Sequence, residues 1–161
     1  MVAMPDVSVS AQRQPLDHVS KAIIDALQQD GRRSYSAIAE AIGISEGAVR
    51  QRVQKLMNAG VMQIVAVTDP TELGFGREAM IGICCSGNSA ATAEKLAAID
   101  DINYVVLTAG RFDLVVEVVC EDDAHLLDIL NTRIRTLPDV YQAETLVYLK
   151  TVKQQYNWGT R

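Results

Sequence analysis

The chain is poor in the residues that mark exported, metal-binding or membrane-spanning proteins. Its 161 residues hold three cysteines, Cys84, Cys85 and Cys120. They are odd in number, lack CxxC spacing and sit in apolar runs, which is the pattern of buried reduced thiols in a cytosolic protein. His18 and His125 are the two histidines, and neither stands at ligand spacing from a cysteine, so no metal site is expected. The same scarcity leaves no Ser-His-Asp, paired-carboxylate or metal constellation to assemble, so neither an enzyme nor a cofactor is expected. No apolar run approaches the length that crosses a bilayer, so no membrane partner is expected. Residues 1–15 are polar, carry Pro5 and Pro15, and lack the features of a secretory leader. They are expected to form a disordered arm of a cytoplasmic protein.

A general basic excess is also missing. The formal net charge is −5, which argues against indiscriminate nucleic-acid binding. The deficit is uneven, however. Between Pro15 and Val65, Lys21, Arg32, Arg33, Arg50, Arg52 and Lys55 face five acids, whereas eight basic and fourteen acidic residues follow Val65. This placement allows a local basic face in the first part. With 48 % hydrophobic residues, the chain has enough apolar side chains for an ordinary folded core.

The first part has a helical period. Asp17 is a plausible N-cap, and Val19, Ile23, Ile24 and Leu27 form a stripe that ends near Asp30-Gly31. A short helix is expected over Tyr35 to Ile42, capped by Ser34 or Ser36, and Gly43 breaks it. Ser45 then caps a third helix running to about Ala59. Two helices joined by a short glycine-containing turn, here Gly43-Ile44-Ser45, form the helix-turn-helix signature. On the third helix, Val53 and Leu56 fall within about 40° of Val49 at about 100° per residue, with Met57 at the margin. The opposite face then presents Gly47, Gln51, Gln54, Lys55 and Asn58, with Arg50 at its edge. Glutamine can pair with adenine, arginine with guanine and lysine with phosphate. Together with Ser45 and Glu46 at the helix start, Gly47, Arg50, Gln51, Gln54 and Lys55 are the candidate contacts to double-stranded DNA.

After Gly60 the period changes. A β-rich segment is expected over Val61 to Val67, then a loop through Thr68-Asp69-Pro70, Gly74 and Gly76. Strands are expected at Met80–Cys85, Ile102–Ala109, Leu114–Cys120 and Val140–Leu149. Helices are expected at Ser89–Ala98 and from Asp122-Asp123 to Thr136, stopped by Pro138. The fold class is therefore α+β, with a three-helix helix-turn-helix domain ahead of a βαββαβ ferredoxin-like domain. The expected divisions are 16–62 for the DNA-binding domain, 63–78 for a linker strand and loop, and 79–161 for the second domain. Strands such as Val105-Val106-Leu107, apolar on both faces, imply that the open face of the sheet is covered, most cheaply by a second copy in a homodimer.

From Leu16 to Leu149 the sequence resembles the Lrp/AsnC, or feast/famine, family of transcription regulators. The resemblance rests on Leu16-Asp17, Ile23-Ile24, Leu27 and Asp30-Gly31-Arg32, then Ile38-Ala39 and Ile42-Gly43-Ile44-Ser45. It continues through Val49, Arg52-Val53, Leu56 and Gly60-Val61-Met62 to Leu73-Gly74 and Thr108-Ala109-Gly110-Arg111-Phe112-Asp113. It implies a DNA-binding regulator whose second domain, often called RAM, forms dimers that assemble into tetramers or octamers. It also implies an amino-acid or related metabolite effector bound between dimers near the Gly-x-x-Asp turn. Thr108, Ala109, Gly110, Arg111, Phe112 and Asp113 are the corresponding effector candidates. Asp113 can accept from an α-ammonium and Arg111 can pair with an α-carboxylate; a plain β-turn is the competing reading. Siroheme decarboxylases, which are similar in sequence to this family, and architectural DNA-binding proteins without an effector are the alternative functions.

Overall fold

A computed structural model describes residues 15–160; the expected arm over 1–15 lies outside it but for Pro15. The chain divides into two compact units. One comprises the described residues up to Ala66 together with 153–160, and the other spans Val67–Val152.

The first unit contains α1 (His18–Gln29), α2 (Tyr35–Ile42) and α3 (Glu46–Asn58). Each start has the expected cap. Asp17 accepts from Ser20 N, Ser34 from Ala37 N, and Ser45 from Ala48 N. Ser34 is thus the cap of α2, while the Ser36 hydroxyl lies 3.1 Å from that of Ser34. Ile23 and Leu27 of α1, Ile38 and Ala39 of α2, and Val49 and Val53 of α3 form one buried cluster. Gly43 has φ +78°, so the turn between α2 and α3 needs a residue at ease in left-handed backbone. A Cβ there would meet nothing within 4 Å, so conformation rather than close helix approach accounts for the glycine.

Arg52 of α3 closes this unit electrostatically. Its NH1 group donates to Asp17 Oδ2 at 2.6 Å and to Ser20 Oγ at 3.1 Å. One carboxylate therefore caps α1 and holds α3. Residues 153–160 also belong to this unit, where Gly159 N donates to Gln28 Oε1 and Thr160 Oγ1 to Asp25 Oδ2. The sequence had assigned them to the second domain.

The second unit contains β1 (Arg77–Cys85), α4 (Ser89–Ala97), β2 (Ile102–Leu107), β3 (Leu114–Cys120), α5 (Asp123–Asp128) and β4 (Val140–Val147). The strands form one antiparallel sheet in the order β2-β3-β1-β4, as the βαββαβ reading requires. Ala79, Ile81 and Ile83 of β1 and Leu114, Val116, Val118 and Cys120 of β3 are buried with Leu96, Leu126, Ile129 and Ile134. The alternate residues form the open face. There Met80 pairs with Glu117 and Leu146, Val106 with Val115, and Tyr104 with Glu117. Tyr148 donates to Glu117 Oε1 at 2.7 Å, and burial with this bond pushes the phenol well above its usual pKa.

Three expectations change. No strand forms over Val61–Val67, where Ile64, Val65 and Val67 are exposed; a β-prone segment without a neighbour leaves its backbone unpaired. Thus the expected linker over 63–78 holds a 3-10 turn at Pro70–Leu73 and the start of β1, but no strand of its own. The last helix is not regular to Thr136, because α5 widens into a π turn over Ile129–Ile134. Arg135 N reaches back to Leu130 O at 2.9 Å, and the Thr132 hydroxyl bonds Asp128 O, a side-chain competition that loosens helices.

Removing Arg52 from its clasp, as in Arg52→Ala, is expected to lower the urea midpoint of the helical unit. Ser20 and the Arg52 guanidinium hold the Asp17 carboxyl well below the usual carboxylate range. Its contribution is therefore full above the unfolded-state pKa and fades as pH falls through the folded value. Asp17→Ala should show its full deficit at pH 7 and a smaller one in strong acid, as read by urea melts across pH.

Candidate functional site

The geometry of α3 follows from its buried stripe. With Val49, Val53 and Leu56 inward, Gly47, Arg50, Gln51, Gln54 and Lys55 are all exposed. These five residues line one open concavity, which also includes Asp17, Arg52 and Asn58. Ser45 and Glu46 are exposed at its N-terminal end, but the Ser45 hydroxyl is already engaged as the cap.

Hydrogen bonding on this face is specific. Arg50 NH2 donates to Glu46 Oε1 at 2.7 Å, one helical turn away, and its guanidinium lies 5.4 Å from the Tyr35 ring centroid. Gln54 Nε2 donates to Asn58 Oδ1 at 2.7 Å. Lys55 has no ion pair among the described residues. The face is therefore close to neutral, since Glu46 offsets Arg50 and Asp17 offsets Arg52. It offers amide and guanidinium donors rather than a broad cationic field. Arg52 and Asp17 were missed as site-lining residues because their pairing joins positions 35 residues apart.

The connection Thr108–Asp113 between β2 and β3 is tightly organised. Asp113 N donates to Ile83 O and Thr108 N to Asp113 O, each at 2.9 Å. Asp113 Oδ2 accepts from Cys85 N at 2.7 Å, and Thr108 Oγ1 donates to Phe112 O at 2.6 Å. Two candidates thus have structural work, as the β-turn reading requires. Phe112 is half-buried with its ring against Gly82. Thr108, Ala109, Gly110 and Arg111 are exposed, and Arg111 is ion-paired with Glu144 of β4. Its guanidinium also lies 4.6 Å from the Phe112 ring centroid. Gly110 needs no left-handed backbone and a Cβ there would meet nothing within 4 Å. Its backbone is accessible from outside the chain.

Neither Cys85 nor Cys120 is an activated thiol. Cys84, Cys85 and Cys120 are free, and burial, the largest influence, pushes the Cys85 and Cys120 thiols up. Cys84 Sγ donates to Arg111 O at 3.3 Å, which ties the turn to β1. His125 Nε2 lies 3.2 Å from Asp101 Oδ1 and its Nδ1 faces Glu121 N. No group of three or more His, Cys, Asp or Glu among the described residues is placed to hold a metal. No described helix is long and apolar enough to cross a membrane.

Comparison with known proteins matches both units. A family model for the AsnC-type helix-turn-helix domain matches residues 16–57. A model for a C-terminal dimeric alpha+beta barrel domain matches residues 90–161. HTH-type transcriptional regulator FL11 of Pyrococcus horikoshii is 33 % identical over 144 residues, covering 88 % of this chain and 95 % of the relative. Regulatory protein AsnC of Escherichia coli is 26 % identical, covering 84 % and 91 %. Among solved structures, the leucine response regulatory protein of Mycobacterium tuberculosis aligns with a TM-score of 0.78 at 28 % identity, covering 86 % and 96 %. A transcriptional regulator from Neisseria meningitidis, solved as a complex with L-Met, has the same fold at 19 % identity, with a TM-score of 0.75 and coverage of 89 % and 96 %.

The Phe112 ring packs directly over Gly82, where an added Cβ would come within 2.5 Å of ring carbons. Gly82→Ala is therefore expected to displace the ring and destabilise the second unit by about 1–3 kcal/mol, the usual cost of overpacking. Denaturant melts of the variant and parent measure this directly, and equal stability would mean that the ring moves away freely.

Proposed function

This chain belongs to the AsnC/Lrp family of helix-turn-helix transcription regulators, and we propose that it reads duplex DNA with the outer face of α3 under control of an amino-acid-like effector. The observation that carries the proposal is the division of α3 into a fully buried apolar stripe and an exposed donor face. A 13-residue helix is about 20 Å long, long enough to lie in a major groove about 12 Å wide. Gln51 and Gln54 have the donor and acceptor pair that suits adenine, and Arg50 has the fork that suits guanine. Lys55 supplies a phosphate contact. Because the face is nearly neutral, discrimination between sequences outweighs the sequence-independent attraction that strongly basic proteins exploit.

The effector reading centres on Gly110–Asp113. An incoming α-carboxylate takes the Arg111 guanidinium from Glu144, an exposed pair that costs little to open. The second oxygen of Asp113 accepts from an α-ammonium while Oδ2 stays on Cys85 N. Exposed Gly110 lets backbone groups approach the ligand. A second copy completes the site by covering the open sheet face, where Tyr104 and Leu146 are about half-exposed, and dimers assemble further into tetramers or octamers. The protein works in the cytoplasm without a cofactor of its own.

A duplex recovered by selection from a randomised library supplies the DNA probe. Arg50→Ala and Gln51→Ala are each expected to weaken binding to it about five- to a hundredfold, with mass by light scattering unchanged. Unchanged gel shifts for both would remove α3 as the reader. In a thermal-shift screen of the common amino acids, one or a few should raise the melting temperature, and Arg111→Ala should abolish that rise. A full response from the variant would place the ligand elsewhere.

A further inference from the structure

Glu46 is the single acid on α3, and it sits on a face that would lie among DNA phosphates. A carboxylate there repels every phosphate it approaches, so it weakens binding to any sequence. Its placement is nonetheless well defined. It occupies the first turn of α3, where the helix dipole favours an anion, and it holds Arg50 NH2 at 2.7 Å. A second restraint comes from α2. Tyr35 is packed against the buried helical cluster, and the Arg50 guanidinium lies over its ring at 5.4 Å, a cation–π distance.

These two restraints act on a long side chain that is otherwise exposed, at 66 %. An unrestrained arginine loses much rotamer freedom when it docks on a base, whereas one already held loses less. Only one of its five N–H donors is given to Glu46, so the planar fork keeps a pair suited to the O6 and N7 acceptors of guanine. We infer that Glu46 is a specificity-determining positioning residue: it fixes Arg50 for one guanine, while its charge weakens binding to every duplex alike. The inference rests on α3 being the reading helix. It goes beyond that reading by dividing the face into a residue that recognises, Arg50, and a residue that holds it in place, Glu46, so that less rotamer freedom is lost where the guanine is met.

A role confined to helix stability predicts a different result. An exposed i,i+4 pair and an acid in the first turn stabilise α3 slightly, and their loss would lower binding to all sequences alike. The test is selection of bound duplexes from a randomised library by the full chain and by Glu46→Gln, Arg50→Ala and the double variant, with sequencing and gel shifts. Arg50→Ala should erase a guanine preference at one position of the selected site. Glu46→Gln should reduce the same preference about five- to tenfold, leave the other positions intact, and raise affinity for an unrelated duplex about threefold. In the Arg50→Ala background Glu46→Gln should change that position no further, because Glu46 acts through Arg50. If Glu46→Gln leaves the guanine preference intact while Arg50→Ala removes it, the inference fails and α3 remains the reader. If neither substitution alters any position, both the inference and the assignment of α3 fail.

Discussion

Burial of Val49, Val53 and Leu56 fixes the rotation of α3 about its own axis, and the proposed reading face depends on that constraint. These side chains are 0 %, 2 % and 5 % exposed, and each fully buried aliphatic side chain is worth about 1.5–3 kcal/mol. Rotating α3 far enough to present another face would give up most of that burial. The exposed ion pair on its surface cannot compete, since such pairs contribute about 0–1 kcal/mol. The hydrophobic term therefore sets the phase of the helix, and the polar residues present the chemistry that this phase leaves outside. Arg52 follows from the same rotation. It falls beside α1, where Asp17 and Ser20 receive it, and its charge is spent within the fold.

Local neutralisation gives this head its character. Arg50 and Arg52 each carry an acid partner, so the charge available to attract phosphate is smaller than the composition of the segment suggests. A regulator in an acidic chain gains from this arrangement. Strong sequence-independent attraction would hold it on the many competing sites of a genome, whereas geometric matching of a few donors favours particular sequences. The cost is a weaker gross affinity, which a dimer presenting two such heads would offset through effective concentration.

Much of this fold was legible because its signals are local. Asp17, Ser34 and Ser45 cap helices that their own side chains can start, and Gly43 marks a conformation that other residues resist. The alternating burial of Leu114 to Cys120 identifies a strand with one face on the core. Signals failed where the decisive partner is distant or outside the chain. Residues 61–67 have β composition but no strand beside them. The grouping of 153–160 with α1 depends on single hydrogen bonds from Gly159 and Thr160, which leave no periodic trace. The candidate DNA face was legible from helical phase alone. Its pairing of Arg50 with Glu46 needed only the i,i+4 rule, whereas the Tyr35 ring beneath Arg50 required the packing of α2.

The turn proposed to meet the effector shows why a motif can be found in a sequence without its division of labour. Asp113 uses one carboxylate oxygen to hold Cys85 N, and Thr108 uses its hydroxyl to close the turn on Phe112 O. Neither is then wholly available to a ligand, and both are needed for the turn to have one shape. The adaptable part is the Arg111–Glu144 pair, which is exposed, ionic and placed between the turn and β4 on the open sheet face. A ligand carboxylate that takes Arg111 leaves Glu144 without its counter-charge on that face. In the proposed reading, effector binding and association of the sheet would thereby be linked through one charge. Such a linkage can shift an equilibrium only to the extent that the ligand binds one assembly better than another, and the freed Glu144 is the group on which that difference would fall.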